Sequence, residues 1–123
     1  MPQYLIAGYL PDDYDPSAQD EAMMEGIIEE IHALNREMIA AGVRKLAGGL
    51  GPAHTLRPQV NGELLLTDGP YLETKEHIGG LWILETADLD EALAWVRKCA
   101  KACRSAIEVR EILFMPAPNE KPE

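Results

Sequence analysis

Two helical patterns, each preceded and followed by a short apolar run, constrain this chain more than any other feature. The first run, QYLIAGY (residues 3–9), is bounded by Pro11 and two aspartates and reads as a strand. Asp15 before Pro16, or Ser17 with Asp20 three residues on, supplies a helix start. Met23, Ile27, Ile31, Leu34 and Met38 then fall on one stripe at helical spacing and carry the helix to Ala41, with Gly42 as its C-terminal cap. VRKLAGGLGP (43–52) reads as a glycine-broken strand that runs into a loop. Asn61-Gly62 has the chemistry of a two-residue hairpin turn, and Pro58 keeps the arm before it irregular or at an edge. GGLWILETA (79–87) is strongly apolar and is expected at the centre of a sheet. Asp88 caps a second helix with Glu91 at its third position and an apolar stripe of Leu89, Leu93, Val96, Ala100 and Cys103. AIEVREILFM (106–115) is the last strand.

The order is β-α-β, hairpin, β-α-β. With both helices on one face of an antiparallel sheet, this describes a ferredoxin-like α+β fold. At 123 residues it predicts one domain over residues 1–115, followed by a Pro-rich acidic tail at 116–123 that is expected to be frayed. Two helices cover only one face of such a sheet, yet ELLLT and LWIL carry apolar residues on both sides. The second face therefore predicts a second sheet, most simply from an identical subunit, so a homodimer is expected.

Charge narrows the function classes. Asp and Glu number 21 against 11 Lys and Arg, a net charge of -10, so the chain should repel nucleic acid and anionic membrane surfaces. No run approaches the roughly 18 apolar residues of a spanning helix, and the N-terminal apolar run is too short for a signal peptide, so a cytoplasmic location is expected. Cys99 and Cys103 lie four apart on a predicted helix and read as small buried residues. With no fitting histidine partner they make no metal site.

The residues able to do chemistry are few. His32 sits on the border of the first helix's apolar face, where a side chain can anchor its body in the core and turn a polar edge into a cleft. His54 follows Gly51-Pro52, and His77 stands just before Gly79. Asp68 shares a strand face with Leu64 and Leu66, then meets Gly69-Pro70. An aspartate on the core side of a strand end needs a partner, and an Asx-turn would supply one. A carboxylate beside an imidazole would instead orient it and raise its basicity, which makes a His32–Asp68 pair a candidate for acid–base catalysis. ETKEHIGG reads either as a solvated connection or as a loop over a pocket, with Lys75 as a fixed charge for an acidic ligand. No phosphate loop, dinucleotide fingerprint, metalloprotease helix or nucleophile elbow is present, so no cofactor is expected.

TDGPYLETKEHIGGLWILETADLDEALAWV and SAIEVREI, with EMIAAGV, GGLGP and the Asn-Gly hairpin before them, resemble the DGPF group of the YCII-related domain family over nearly the whole chain. Tyr71 stands where that group usually has Phe, and CAKACRSA replaces a short Pro/Ala-containing loop. The resemblance implies a ferredoxin-like fold that dimerises sheet-to-sheet into an α/β barrel. It also implies a pocket near a His–Asp pair, which matches His32 and Asp68. In a catalytic reading of the residues Tyr71 and Lys75 stand at the mouth of that pocket, with His77 as a further ligand-binding candidate, while Gly69-Pro70 make the turn and Gly79-Gly80 let the next strand pass close by. Some relatives act on chlorinated aromatic breakdown products, which points to a small acidic or lactone-like ligand. Others are found with extracytoplasmic-type sigma factors, so a ligand-sensing or interaction module linked to transcription is the alternative.

Overall fold

A computed structural model of the chain describes residues 1–11, 20–71 and 76–114. Its elements run β1 (Gln3–Pro11), α1 (Glu21–Ala41), β2 (Arg44–Gly49), β3 (His54–Pro58), β4 (Leu64–Asp68), β5 (Glu76–Glu85), α2 (Leu89–Cys103) and β6 (Ile107–Glu111). Four strands form an antiparallel sheet in the order β2-β5-β1-β6, and β3 and β4 pair with each other as a separate two-stranded sheet. The fold is thus α+β, with β5 inside the sheet as its apolar run predicts. The tail beyond residue 114 lies outside the described residues.

Both helices contribute to one core. Ile6, Trp82 and Leu84 from the sheet meet Leu34 and Met38 of α1 and Cys99 and Ala102 of α2. Ala47, Ile107 and Val109 pack against this cluster. Side chains alternate along each strand, so Leu5, Leu81, Ile83 and Leu46 lie on the other face. Leu46 is exposed there, and Leu5, Leu81 and Ile83 are half-buried.

Several boundaries differ from the sequence-based expectation. Strand β1 runs through Pro11, and β5 begins at Glu76 rather than Gly79. Asp15, Pro16 and Ser17 lie outside the described residues, and the helix is capped by Asp20, whose carboxylate accepts from the Met23 N–H at 3.0 Å. Val96 and Cys103 of the expected α2 stripe pack against the core, but the fully buried positions differ from that stripe. Ala92, Cys99 and Ala102 are buried while Leu89 is exposed, because small residues let the helix seat closely on the sheet and on α1. Its N-terminus is as expected: Asp88 accepts from Glu91 N–H at 2.9 Å, and Glu91 accepts from Ala87 N–H at 3.0 Å.

The hairpin turn has three residues, not two. Gln59 N–H bonds the Glu63 carbonyl at 2.7 Å, and Gly62 N–H bonds the Gln59 carbonyl at 3.0 Å with Gly62 at φ 87°. Val60-Asn61-Gly62 therefore closes the loop, and Asn61 Oδ1 accepts the Glu63 N–H at 3.0 Å. Every residue of β4 is exposed on both faces, so the expected core side of this strand is absent within one chain.

Candidate functional site

A cleft of about 990 Å³ opens between the N-terminal half of α1 and the end of the sheet where β1, β2 and β5 meet. Its cause is visible in the strand register. Gly8 pairs with Gly80, and Gly80 pairs with Gly49, so one whole row across three strands carries no side chain. The next row, Ile6-Trp82-Ala47, is filled and packed into the core. Helix α1 follows the same division. Leu34 and Met38 in its second half are buried, whereas Met23 and Ile28 near its start are exposed and line the cleft with Ile27 and Ile31.

The glycine at 79 has a separate reason. The β1–β5 register shifts after Gly8, leaving Gly79 as an extra residue, and a Cβ there would lie 2.5 Å from Leu10 Cδ1. Gly79 and Gly80 both border the cleft.

His32 stands on the cleft wall, exposed on α1. Three residues on, Asn35 joins the helix to the sheet. Its Oδ1 accepts from Arg44 Nε at 3.0 Å and from Trp82 Nε1 at 3.2 Å, and its Nδ2 donates to the Ile31 carbonyl at 2.9 Å. Asn35, Arg44 and the glycine row were not singled out in the sequence. Asparagine is disfavoured inside helices, so its presence next to an apolar stripe was the available signal for the first.

Asp68 is engaged elsewhere in the chain. It lies opposite His54 across the hairpin, and its Oδ1 is 3.0 Å from His54 Nδ1. Both side chains are open to solvent, at 63% for His54 and 91% for Asp68. Asp68 is not on the cleft lining, so within one chain the structure does not bring it to His32. Among the described residues no backbone N–H meets its carboxylate as the expected Asx-turn would require: Gly69 sits at φ 114°, its N–H bonds the Ala53 carbonyl at 2.8 Å, and its carbonyl accepts from Thr55 Oγ1 at 2.8 Å.

Tyr71 belongs to the same hairpin. The Arg57 guanidinium lies 4.7 Å from its ring centroid and donates to its carbonyl at 2.6 Å. His77 is a half-buried residue of β5 opposite Leu10, not a loop residue, and Lys75 lies outside the described residues. Pro70 is exposed after the turn.

The cysteines are free. Burial pushes the Cys99 thiol up to about 12, with Cys103 nearby adding to the effect, and burial also raises Cys103. A thiol held protonated is a poor nucleophile, so Cys103 contributes shape rather than reactivity where it lines the cleft. At the far end of β5, the Gln3 amide bonds Glu85 at 3.0 Å and lowers its pKa, with Lys45 at 3.7 Å assisting. Among the described residues no helix is long and apolar enough to cross a membrane.

Comparison with known proteins agrees with the resemblance carried by the DGPY turn and the segments around it. An uncharacterised protein of Rhizobium meliloti (strain 1021) is 34% identical over 116 residues, covering 90% of this chain and 92% of the relative. The family model for the YCII-related domain matches residues 1–116. The chain belongs to the YCII-related domain family.

Proposed function

We propose that this protein binds a small organic molecule in the α1–sheet cleft and acts on it without a cofactor, with His32 exchanging a proton with the ligand. The observation that carries this reading is His32 on the wall of a 990 Å³ cleft with a bare backbone floor and an apolar helix opposite. An imidazole changes charge near neutral pH without special help and can both give and take a proton. Proton transfer beside a carbonyl, or elimination from a small lactone-like acid, suits that inventory. The test is a turnover screen over small lactones and oxo acids, with His32→Ala as the comparison. The variant should keep the fold and lose turnover, and unchanged turnover would sink the reading.

A homodimer, joined sheet-to-sheet into a barrel, belongs to the same proposal. Two apolar surfaces support it: the helix-free face of the sheet, and the hairpin leucines Leu56, Leu64, Leu65 and Leu66, all exposed. An isolated two-stranded hairpin is marginal in water, so leucines on both its faces need cover. Their combined exposure equals about two whole leucine side chains, worth about 3–6 kcal/mol per copy if buried. Two copies then gain about 6–12 kcal/mol, against an association cost of about 4–15 kcal/mol. The hairpins alone are at the margin, so the sheet face must contribute as well. In this assembly Asp68 serves His32 only across the dimer, carried to the cleft by the partner copy's hairpin. Mixing His32→Ala with Asp68→Asn chains should then restore turnover that neither variant has alone.

A further inference from the structure

Which molecule the cleft takes can be argued from its floor and its charge, and this step rests on the cleft being a small-molecule site. Gly8, Gly80 and Gly49 have no positive φ among them. A Cβ on Gly8 would meet Ile107 Cδ1 at 3.5 Å and the Gly80 carbonyl at 3.9 Å, and one on Gly49 only the Gly79 carbonyl at 3.9 Å. These are ordinary contacts, so neither backbone strain nor packing asks for glycine at 8 or 49. A side chain there would instead occupy the cleft. Gly80 alone is tight, with the Gly48 carbonyl at 3.2 Å. Three strands at about 4.8 Å spacing make this bare strip about 10 Å wide, the breadth of a flat ring system.

The charge is equally particular. In a chain of net charge -10, the cleft is lined by His32, Arg36, Arg44 and Arg104 and by no carboxylate among the described residues. Arg36 is compensated by Glu29 at 3.6 Å and Arg104 by Glu30 at 3.4 Å, both at exposed positions. Arg44 differs. Among the described residues no carboxylate pairs with it, and its Nε is held by Asn35, which Trp82 and the Ile31 carbonyl fix in turn. Tethering through Nε leaves the Nη edge of the guanidinium for a ligand, and that fork matches a carboxylate.

We propose that the cleft recognises a flat organic carboxylate, its ring system lying on the Gly8-Gly80-Gly49 strip and its carboxylate on Arg44. Binding by calorimetry on the full chain tests this with three probes. Benzoate is flat and charged, benzamide is flat and neutral, and cyclohexanecarboxylate is charged but not flat. Benzoate should bind one per chain, at least about tenfold tighter than benzamide, the size of one charge-assisted contact, and tighter than cyclohexanecarboxylate, whose puckered ring does not lie flat on the strip. Arg44→Gln should abolish the preference of benzoate over benzamide, and Arg44→Lys should keep part of it. Gly49→Val should weaken benzoate and benzamide alike, while thermal melts confirm that each variant is folded.

Equal binding of benzoate and benzamide by the wild type, or full benzoate affinity in Arg44→Gln, would overturn the assignment. So would no benzoate binding at about 10 mM, the edge of measurable affinity. Benzoate has no proton for His32 to move, so failure of the catalytic reading leaves this test intact, and His32→Ala should still prefer benzoate to benzamide. Should only the anion assignment fail, turnover would still be blocked by Gly49→Val but not by Arg44→Gln.

Discussion

Replacing Asn35 by alanine tests the junction on which the cleft depends. Asn35 Oδ1 is the acceptor for the indole N–H of Trp82, whose side chain belongs to a residue only 6% exposed. Without it that donor is buried and unmatched, at a cost of about 1–3 kcal/mol. Arg44 is half-buried, so its Nε can turn to water, and its loss adds little to instability. Alanine is the better helix former by about 0.5 kcal/mol and offsets part of the damage. The net expectation is a loss of about 0.5–2.5 kcal/mol. For a domain of this size that lowers Tm by about 2–10 °C. Urea unfolding followed by far-UV circular dichroism, at one fixed protein concentration, measures it. The sharper control is the double-mutant cycle with Trp82→Phe, which removes the donor. In that background Asn35→Ala should cost at least about 1 kcal/mol less. If the loss is the same with Phe as with Trp, the indole bond is not what Asn35 supplies, and the account of the junction is wrong.

Three further outcomes follow from the geometry. Leu66→Glu on the exposed hairpin should weaken self-association in sedimentation equilibrium, and Ile83→Glu on the helix-free sheet face should prevent it; a chain that is monomeric before mutation would refute the dimer. With its pKa near 12, Cys99 has about one thiolate in 10⁴ at pH 8, so in the folded protein a maleimide should label it at least about 10³ times more slowly than an ordinary exposed thiol. The Gln3 amide lowers the Glu85 pKa from an ordinary value of 4.5, so its contribution to stability is present above that pH and is lost as pH falls through the lower folded value. Gln3→Leu should therefore be less stable than wild type near pH 6, with the gap closing in acid; a gap independent of pH would mean that the amide acts by packing instead.

Much of the fold was legible because its signals are local. The Met23-to-Met38 stripe, Gly42 and the Asp88/Glu91 box each depend on residues within a turn or two, and helices formed where they predicted. The errors fell where distant residues decide. Nothing near Leu89 says that Ala92 and Cys99 will be chosen for the buried face of α2, since that depends on how closely the helix seats on elements far away in sequence. The hairpin shows the same limit. Asp68 looked core-facing because Leu64 and Leu66 share its side, and alternation identifies a shared face without saying what covers it. His54 meets that carboxylate because the register of β3 on β4 puts the two opposite each other.

The cleft is the strongest case of information present in the residues and unreadable in their order. Gly8 was one small residue in an apolar strand, Gly49 half of a weak AGGLG pattern, and Gly80 half of the Gly-Gly that closes the DGPY segment. Each is unremarkable where it stands, and 30 or more positions separate them along the chain. Register makes them neighbours: β1 lies antiparallel to β5 and β5 to β2, so three glycines become one row facing the same helix. A single row of missing side chains then explains two otherwise unrelated facts, the exposure of Met23 and Ile28 on a helix that buries Leu34 and Met38 further along, and the placement of His32 at an opening instead of a packed seam. Restoring a side chain at Gly49 should therefore change the cleft more than the fold, as its free Cβ position indicates.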